Sequence, residues 1–356
     1  MRFPDTATVA QLDLFDEVVD VRSGAEYAED HVPGALNCPV LDDAERAEVG
    51  TLYKQVSPFA AKRVGAAIVA RNIARHLDTA FAAKPKDWRP LVYCWRGGNR
   101  SAAMTHVLRE IGWPAAQLAG GYKAYRREVV AQLGALPAHF RYVVVCGETG
   151  SAKSRLLEAL AAAGAQVLDL EGLARHRGSV LGELPGDPQP PQKWFETLVW
   201  DRLRRFDREA PVFVEAESRK IGALQVPEGL IREMRGAPCV RLAAPAAERV
   251  RFLMREYGHF LADPARLVAK LAHLAPLHGR EVVARWQTLA AACAWEPLVA
   301  DLLENHYDPA YRRSTAKNFA RFAEARVLAL ESLAPEAIAR AAAELAGAPR
   351  ARAAAA

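Results

Sequence analysis

Two stretches of this chain share one grammar, and it restricts the fold more than anything else in the sequence. Each is a short apolar run, then a glycine-bearing turn, then the start of a helix. The first is Leu91-Val92-Tyr93, followed by Cys94-Trp95-Arg96-Gly97-Gly98-Asn99-Arg100-Ser101 and a helical run from Ala102. The second is Tyr142-Val143-Val144-Val145-Cys146, followed by Gly147-Glu148-Thr149-Gly150-Ser151-Ala152-Lys153-Ser154 and a helical run over 155–163. Both read as a buried strand feeding a helix across a tight turn. Strands that alternate with helices build a parallel sheet covered on both faces, with ligands at the carboxyl ends of the strands. The chain is therefore expected to be α/β, and 356 residues suffice for two or three domains.

Other segments fall in with that plan. Strands are expected over 18–22, 35–38, 91–93 and 117–118, with a helix over 101–111 and an insertion over about 41–85 that carries a helix from 60 to 80. A break falls near Leu133-Gly134-Ala135-Leu136-Pro137. After it, strands are expected over 142–146, 166–170, 212–215 and 239–242. A Pro- and Gly-rich loop over 184–192 leads into a helix over about 192–208, on which Trp194, Phe195, Leu198, Val199, Leu203 and Phe206 share a face. From about 245 the chain reads as helical. The expected organisation is 1–134 with the helical insertion 41–85, a second α/β domain over 138–245, a helical region over 246–335, and a flexible Ala- and Arg-rich tail over 336–356.

Composition excludes several classes. No apolar run approaches a membrane span, and the N-terminus lacks the apolar core of a secretory signal, so a cytoplasmic protein without a membrane partner is expected. The five cysteines, Cys38, Cys94, Cys146, Cys239 and Cys293, include no Cys-x-x-Cys pair, which argues against a disulfide framework and a zinc site. The nine histidines show no metal-ligand spacing, so no protein-built metal site is expected. Net charge is +5 and arginine outnumbers lysine, which is compatible with a nucleic-acid partner.

The two turns carry the chemistry. At the first, Arg96, Gly97, Gly98, Asn99, Arg100 and Ser101 form an anion cradle around Cys94. Unpaired N–H groups converge at the helix start, and positive potential there favours the thiolate of Cys94, the candidate nucleophile. The competing reading is a buried structural cysteine beside a glycine turn. At the second, Gly147, Gly150, Ser151, Ala152, Lys153 and Ser154 nearly fit the pattern G-x-x-x-x-G-K-[ST]. Backbone N–H groups would cradle phosphates, Lys153 would reach between them, and Ser154 would hold a magnesium ion. Ala152 departs from the pattern, which wants glycine; its methyl could crowd a phosphate or the adjacent strand. Glu215, ending a β run, is either a second acid near the metal or a surface acid. Three basic clusters follow: Arg202, Arg204, Arg205 and Arg208; Arg249, Arg251 and Arg255; Arg312, Arg313, Lys317 and Arg321. Tyr257, Tyr307 and Tyr311 lie near the last two, placed to stack on bases.

Larger blocks of sequence carry a resemblance. Asp20-Val21-Arg22, His31-Val32-Pro33-Gly34-Ala35, the Cys94 turn and Gly120-Gly121-Tyr122-Lys123-Ala124-Tyr125 occur in the order seen in rhodanese domains. A rhodanese-like domain followed by a P-loop domain resembles the bacterial tRNA 2-selenouridine synthases. Further shared pieces are Glu45-Arg46-Ala47-Glu48-Val49-Gly50-Thr51-Leu52-Tyr53-Lys54, the stretch from Asp169 to Ser179, Glu217-Ser218-Arg219-Lys220-Ile221-Gly222 and Tyr307-Asp308-Pro309-Ala310-Tyr311. The resemblance implies an N-terminal rhodanese-like parallel-sheet domain, then a P-loop kinase-like α/β domain with C-terminal helices that contact tRNA. It implies a transferase acting on tRNA with wobble 2-thiouridine. Geranyl diphosphate would give S-geranyl-2-thiouridine, and selenophosphate would then exchange the sulfur for selenium. Cys94 matches the family's rhodanese cysteine and would carry selenium as a perselenide or attack selenophosphate directly. The turn 147–154 matches its P-loop and would hold the geranyl donor's diphosphate. Arg175, Arg177, Glu217 and Arg219, within the shared blocks, become candidate substrate-binding residues. A monomer is expected, with a selenophosphate-supplying enzyme as a further partner.

Other classes remain open on residues alone. One is a sulfurtransferase fused to a nucleotide kinase, with no RNA substrate. Another is a Cys-x5-Arg phosphatase, though Tyr93 stands where a histidine is usual. A third is an RNA-binding module with an inert Cys94.

Overall fold

The protein is described by a computed structural model over residues 4–179 and 181–353. It divides into two units, one of residues 1–132 with 191–201, the other of 133–190 with 202–356. The first unit holds strands β1 (Thr6–Ala7), β2 (Glu17–Asp20), β3 (Leu36–Asn37), β4 (Pro90–Tyr93) and β5 (Ala116–Leu118). They form one parallel sheet in the order β1-β5-β4-β2-β3. All four residues of β4 are buried, which is why it reads as a continuous apolar run. One core cluster includes Val19, Val92, Met104 and Leu108, with Ile73 and Phe81 contributed by the insertion.

The insertion is a helical hairpin of Asp43–Gln55 and Pro58–Asp78. Its local signals are strong. The Asp42 carboxylate accepts the Glu45 N–H, and Glu45 reaches back to the Asp42 N–H. Ser57 caps the second helix by accepting from the Ala60 N–H, and Pro58 occupies its first turn.

The second unit contains β6 (Tyr142–Gly147), β7 (Gln166–Leu168), β8 (Val212–Glu215), β9 (Lys220–Ile221), β10 (Leu224–Gln225), β11 (Cys239–Ala243) and β12 (Arg326–Ala329). The main sheet is parallel, in the order β12-β11-β6-β8-β7, and β9 and β10 pair antiparallel apart from it.

Three boundaries differ from expectation. The region 246–335 is not wholly helical: β12 returns to pair with β11. Its four residues are mostly exposed, so no apolar run announces it. The tail expected to be flexible forms a helix over Pro335–Ala353, and Ile338, Ala341, Ala342 and Leu345 pack into the core beside helix Lys153–Ala162. Alanine supplies both helix propensity and a small apolar face, which composition alone does not distinguish from a loose tail. Ala354, Ala355 and Ala356 lie outside the described residues. Third, 191–201 group with the first unit: Trp194 stacks on His31, and the Arg126 guanidinium pairs with Glu196. The helices between β11 and β12 have their own core around Trp286, Leu271 and Leu298. No helix among the described residues is long and apolar enough to cross a membrane.

Candidate functional site

Cys94 directly follows β4, and its side chain is almost wholly buried at 3% exposure. Helix Asn99–Ile111 starts five residues on, so its first N–H groups turn back toward the sulfur. The Gly98 N–H donates to Sγ at 3.3 Å and the Ser101 hydroxyl donates to it at 3.1 Å. Gln117 donates to the Ser101 oxygen at 2.7 Å and fixes that hydroxyl. Burial alone would push the thiol up. Hydrogen bonds from the Ser101 side chain and from the N–H groups of Ser101, Arg96 and Gly98 outweigh it and hold the thiol below its ordinary value. A buried thiol held down in this way makes Cys94 a candidate nucleophile.

The arginines act differently from expectation. Arg100 pairs with Glu26 at 2.9 Å, and Arg46 joins the same carboxylate at 3.2 Å. The thiolate is stabilised chiefly by dipoles, and Arg96 stays exposed at the mouth of the turn. The turn is locked from behind. The Tyr122 N–H donates to the Cys94 carbonyl at 2.8 Å and the Lys123 N–H to the Trp95 carbonyl at 3.0 Å. Gly97 has φ +66°, and a Cβ there would fall 2.9 Å from the Leu118 carbonyl, so only glycine fits. Asp20 and Arg22 form a buried ion pair of 2.6 Å that also takes the Tyr93 hydroxyl at 2.7 Å. Nearby, burial pushes Asp30 up to about 6 although Thr197, Tyr122 and Arg126 oppose it.

In the second unit, β6 ends at Gly147 and helix Lys153–Ala162 begins six residues later. Lys153 Nζ donates to the Gly147 carbonyl at 2.7 Å and sits 5.1 Å from the Tyr311 ring centre. Ala152 is left-handed, with φ +61°, where the pattern wants glycine. Its methyl is 97% shielded and packs with Val145, Leu156 and Leu157 in the core. The departure therefore costs backbone strain, and Ala152 is packed in the core while still bordering the pocket on which the cradle opens.

The cradle opens on a pocket of about 540 Å³ lined by Lys153, Ser154, Glu171, Arg177, Glu217 and Tyr311, among others. Ser154 donates to Glu171 Oε2 at 3.0 Å, and Glu215 Oε1 accepts the Glu171 N–H at 2.6 Å. Glu215 is thus no surface acid. It is buried, and burial beside Asp169, Glu171 and Glu217 pushes it well up. Burial and the hydrogen-bonded Glu171 push Glu217 up to about 8, with Lys153 pulling the other way. Among the described residues, no three His, Cys, Asp or Glu side chains are arranged to hold a metal ion. Beside the polar pocket lies an apolar slot of about 70 Å³, walled by Leu181, Phe260, Leu267, Trp295 and Leu298. Thr149, Ser179, Leu253, Tyr257 and Tyr307 border both.

Comparison with known proteins agrees with this division. Residues 7–128 match the rhodanese-like domain family, and residues 140–272 match the family described as the tRNA 2-selenouridine synthase AAA domain. The chain is 34% identical over 341 residues to the tRNA 2-selenouridine synthase of Azotobacter vinelandii, covering 86% of this chain and 90% of that one. It is 40% identical over 265 residues to the one from Cupriavidus necator (73% and 70% covered), and 34% over 264 residues to the one from Nitrosomonas europaea (72% and 68%). The chain belongs to the tRNA 2-selenouridine synthase family.

The residues singled out from the family's shared blocks separate in space. Arg177 and Glu217 line the pocket; Arg177 stacks 4.7 Å from Tyr257 and pairs with Glu256 at 3.3 Å. Arg175 and Arg219 do not line it. Arg175 pairs with Asp187 at 3.1 Å, and Arg219 pairs with Glu228 at 2.5 Å on the surface. Arg249, placed by sequence in a basic patch, is buried. It forms a bidentate pair with Asp308 at 2.9 and 2.7 Å and donates to the Thr149 carbonyl at 3.1 Å, bracing the cradle. Arg312 pairs with Glu148 at 2.6 Å, while Arg313 and Lys317 stay exposed. Tyr257, Tyr307 and Tyr311 are pocket walls; the Tyr311 hydroxyl accepts the Gly147 N–H at 2.7 Å. Sequence reasoning gave Glu171 and Asp308 no role in the site, although both lie inside the shared blocks, and it gave Tyr311 base stacking, where the structure makes it a pocket wall bonded to the turn.

Proposed function

We propose that this protein is a tRNA-modifying transferase that exchanges the sulfur of wobble 2-thiouridine for selenium from selenophosphate, by way of S-geranyl-2-thiouridine made with geranyl diphosphate. The name of its relatives supports the tRNA. The observation that carries the geranyl half is the join of the phosphate cradle to the apolar slot through Thr149, Ser179, Leu253, Tyr257 and Tyr307. A prenyl diphosphate has that shape, an anionic head on a branched apolar tail.

In the first half-reaction the thio sulfur attacks C1 of the geranyl group. A C–S bond forms, the C1–O bond breaks, and diphosphate leaves with the electron pair as N3 loses its proton. Lys153 and the N–H groups at its helix start would bind the departing head. Magnesium fits there: the Ser154 hydroxyl lies 3.0 Å from Glu171, and Glu215 Oε2 is buried without a hydrogen-bond partner. Such an ion supplies charge neutralisation to a diphosphate. Alkylation turns the sulfur into a better leaving group.

In the second half-reaction the Cys94 thiolate attacks the phosphorus of selenophosphate. A P–S bond forms, the P–Se bond breaks, and selenide leaves with the electron pair. Selenide adds at C2 of the alkylated base and expels geranylthiolate, and water frees Cys94 from its phosphate. Mass spectrometry of nucleosides tests this, using thiolated tRNA incubated with the protein, geranyl diphosphate and selenophosphate. S-geranyl-2-thiouridine is expected without selenophosphate, and 2-selenouridine with it. Unaltered 2-thiouridine in both incubations overturns the reading and favours a sulfurtransferase that ignores RNA.

A further inference from the structure

The insertion hairpin, whose sequence block the two sites leave unused, carries an unusual tip. Val49 packs on Gly65 closely enough that a Cβ there would lie 3.3 Å from Val49 Cγ1, so the two helices fold back on each other around the turn at 56–57. At this turn Tyr53, Val56 and Phe59 are 56%, 67% and 76% exposed. Three large apolar side chains within seven residues, all facing water, are costly in a chain that buries its other aromatics well.

Charge narrows what covers them. The first helix starts acidic, with Asp43, Glu45 and Glu48. From 51 to 78 the balance reverses: Lys54, Lys62, Arg63, Arg71 and Arg75 face a single acid, Asp78. All five cations are exposed, and none forms an ion pair with a described residue. Phe59, Arg63, Arg71 and Arg75 are separated by multiples of four, so they follow one ridge that winds about 40° around the helix with every four residues. That ridge spans roughly 24 Å at 1.5 Å per residue, a length that meets several phosphates. A second copy of this chain would bring the same cations to the same face and be repelled. Exposed aromatic rings at the head of a basic ridge suit unpaired bases and their backbone.

We propose that the hairpin 43–78 is an RNA-docking arm, in which an unpaired base of the tRNA stacks on Tyr53 or Phe59 and the phosphates follow the ridge of Arg63, Arg71 and Arg75. The inference rests on the tRNA reading above. It places tRNA contact in the rhodanese-like unit, where the sequence pointed to basic clusters from Arg202 onward.

Binding of thiolated tRNA across a salt series tests it, with the full chain. Phe59→Ala is expected to weaken binding on the order of tenfold. The triple variant Arg63→Ala/Arg71→Ala/Arg75→Ala is expected to flatten the slope of log affinity against log salt by about two. Both variants should keep the wild-type unfolding midpoint and Cys94 alkylation rate, because these side chains are exposed. Wild-type binding with neither variant altered overturns the arm but not the tRNA reading. No binding by wild type overturns both. A concentration-dependent dimer that Phe59→Ala dissociates also overturns the arm, since the occupant is then a second copy.

Discussion

The thiol turn and the phosphate turn start from one plan and are filled in opposite ways. After β4 the chain places Cys94, and the helix-start N–H groups are spent on its sulfur. β6 ends on Gly147, which carries no side chain, and the cradle beyond it opens on a pocket of about 540 Å³. One turn therefore spends its dipoles on the protein's own sulfur, and the other leaves its cradle open to the pocket. The supports differ as well. The first turn is held by glycine at φ +66° and by dipoles, with its arginine diverted to Glu26. The second accepts an alanine at φ +61°, its methyl packed into the core, and is braced by the buried Arg249–Asp308 pair. A strand–turn–helix fixes where an anion sits.

The largest test of this contrast is Cys94→Ala. It should reduce selenation of S-geranylated tRNA to background while leaving geranylation intact, as read by nucleoside mass spectrometry. Equal loss of both would show that the turns do not divide the work. Next is Asp308→Ala, which leaves the buried Arg249 with Glu148 at 3.3 Å as its remaining acidic partner, beside the Thr149 carbonyl at 3.1 Å. Breaking such a pair costs about 3 kcal/mol, visible as a lower urea midpoint of the second unit. Cys94 alkylation should be unchanged.

Lys153→Ala removes a charged donor from the cradle. Affinity for geranyl diphosphate should fall about tenfold or more by calorimetry, with thiol reactivity unaffected. Ser101→Ala is the counterpart in the first turn. Loss of a hydrogen bond to the thiolate should raise the midpoint of the alkylation-rate profile with iodoacetamide by about one pH unit, so the rate at neutral pH falls. An unmoved midpoint would mean that the backbone N–H groups suffice. The smallest effect is expected for Ala152→Gly. Relief of left-handed strain, about 1 kcal/mol, opposes loss of a buried methyl, about 0.8 kcal/mol, so stability should change by under about 0.5 kcal/mol. Diphosphate affinity should stay put; a large gain would show that the methyl does reach the cradle.

Most strands and both turns were legible in sequence because each is local. A buried parallel strand is a run of Val, Leu and Ile, and glycine with a helix start marks its end. What escaped notice depended on distance in the chain. β12 has an exposed sequence and is a strand only because β11 offers an edge. The segment 191–201 joins the first unit through Trp194 and Glu196, which no local pattern reveals. Arg249 looked like one cation among many and became a brace only when Asp308 arrived from 59 residues away.

By itself the sequence determined the α/β class, the order of the two domains, the thiol and the phosphate cradle, and the family likeness. These follow from short-range chemistry: apolar period, glycine freedom and helix starts. Only the tertiary structure decided that Ser101 and backbone dipoles, rather than Arg100, favour the thiolate. It alone placed the Ala152 methyl in the core and turned Glu215 inward beside Glu171. It alone set an apolar slot against the cradle. Each of these is a choice of neighbour across the fold, fixed by burial and charge pairing that no local stretch of sequence contains.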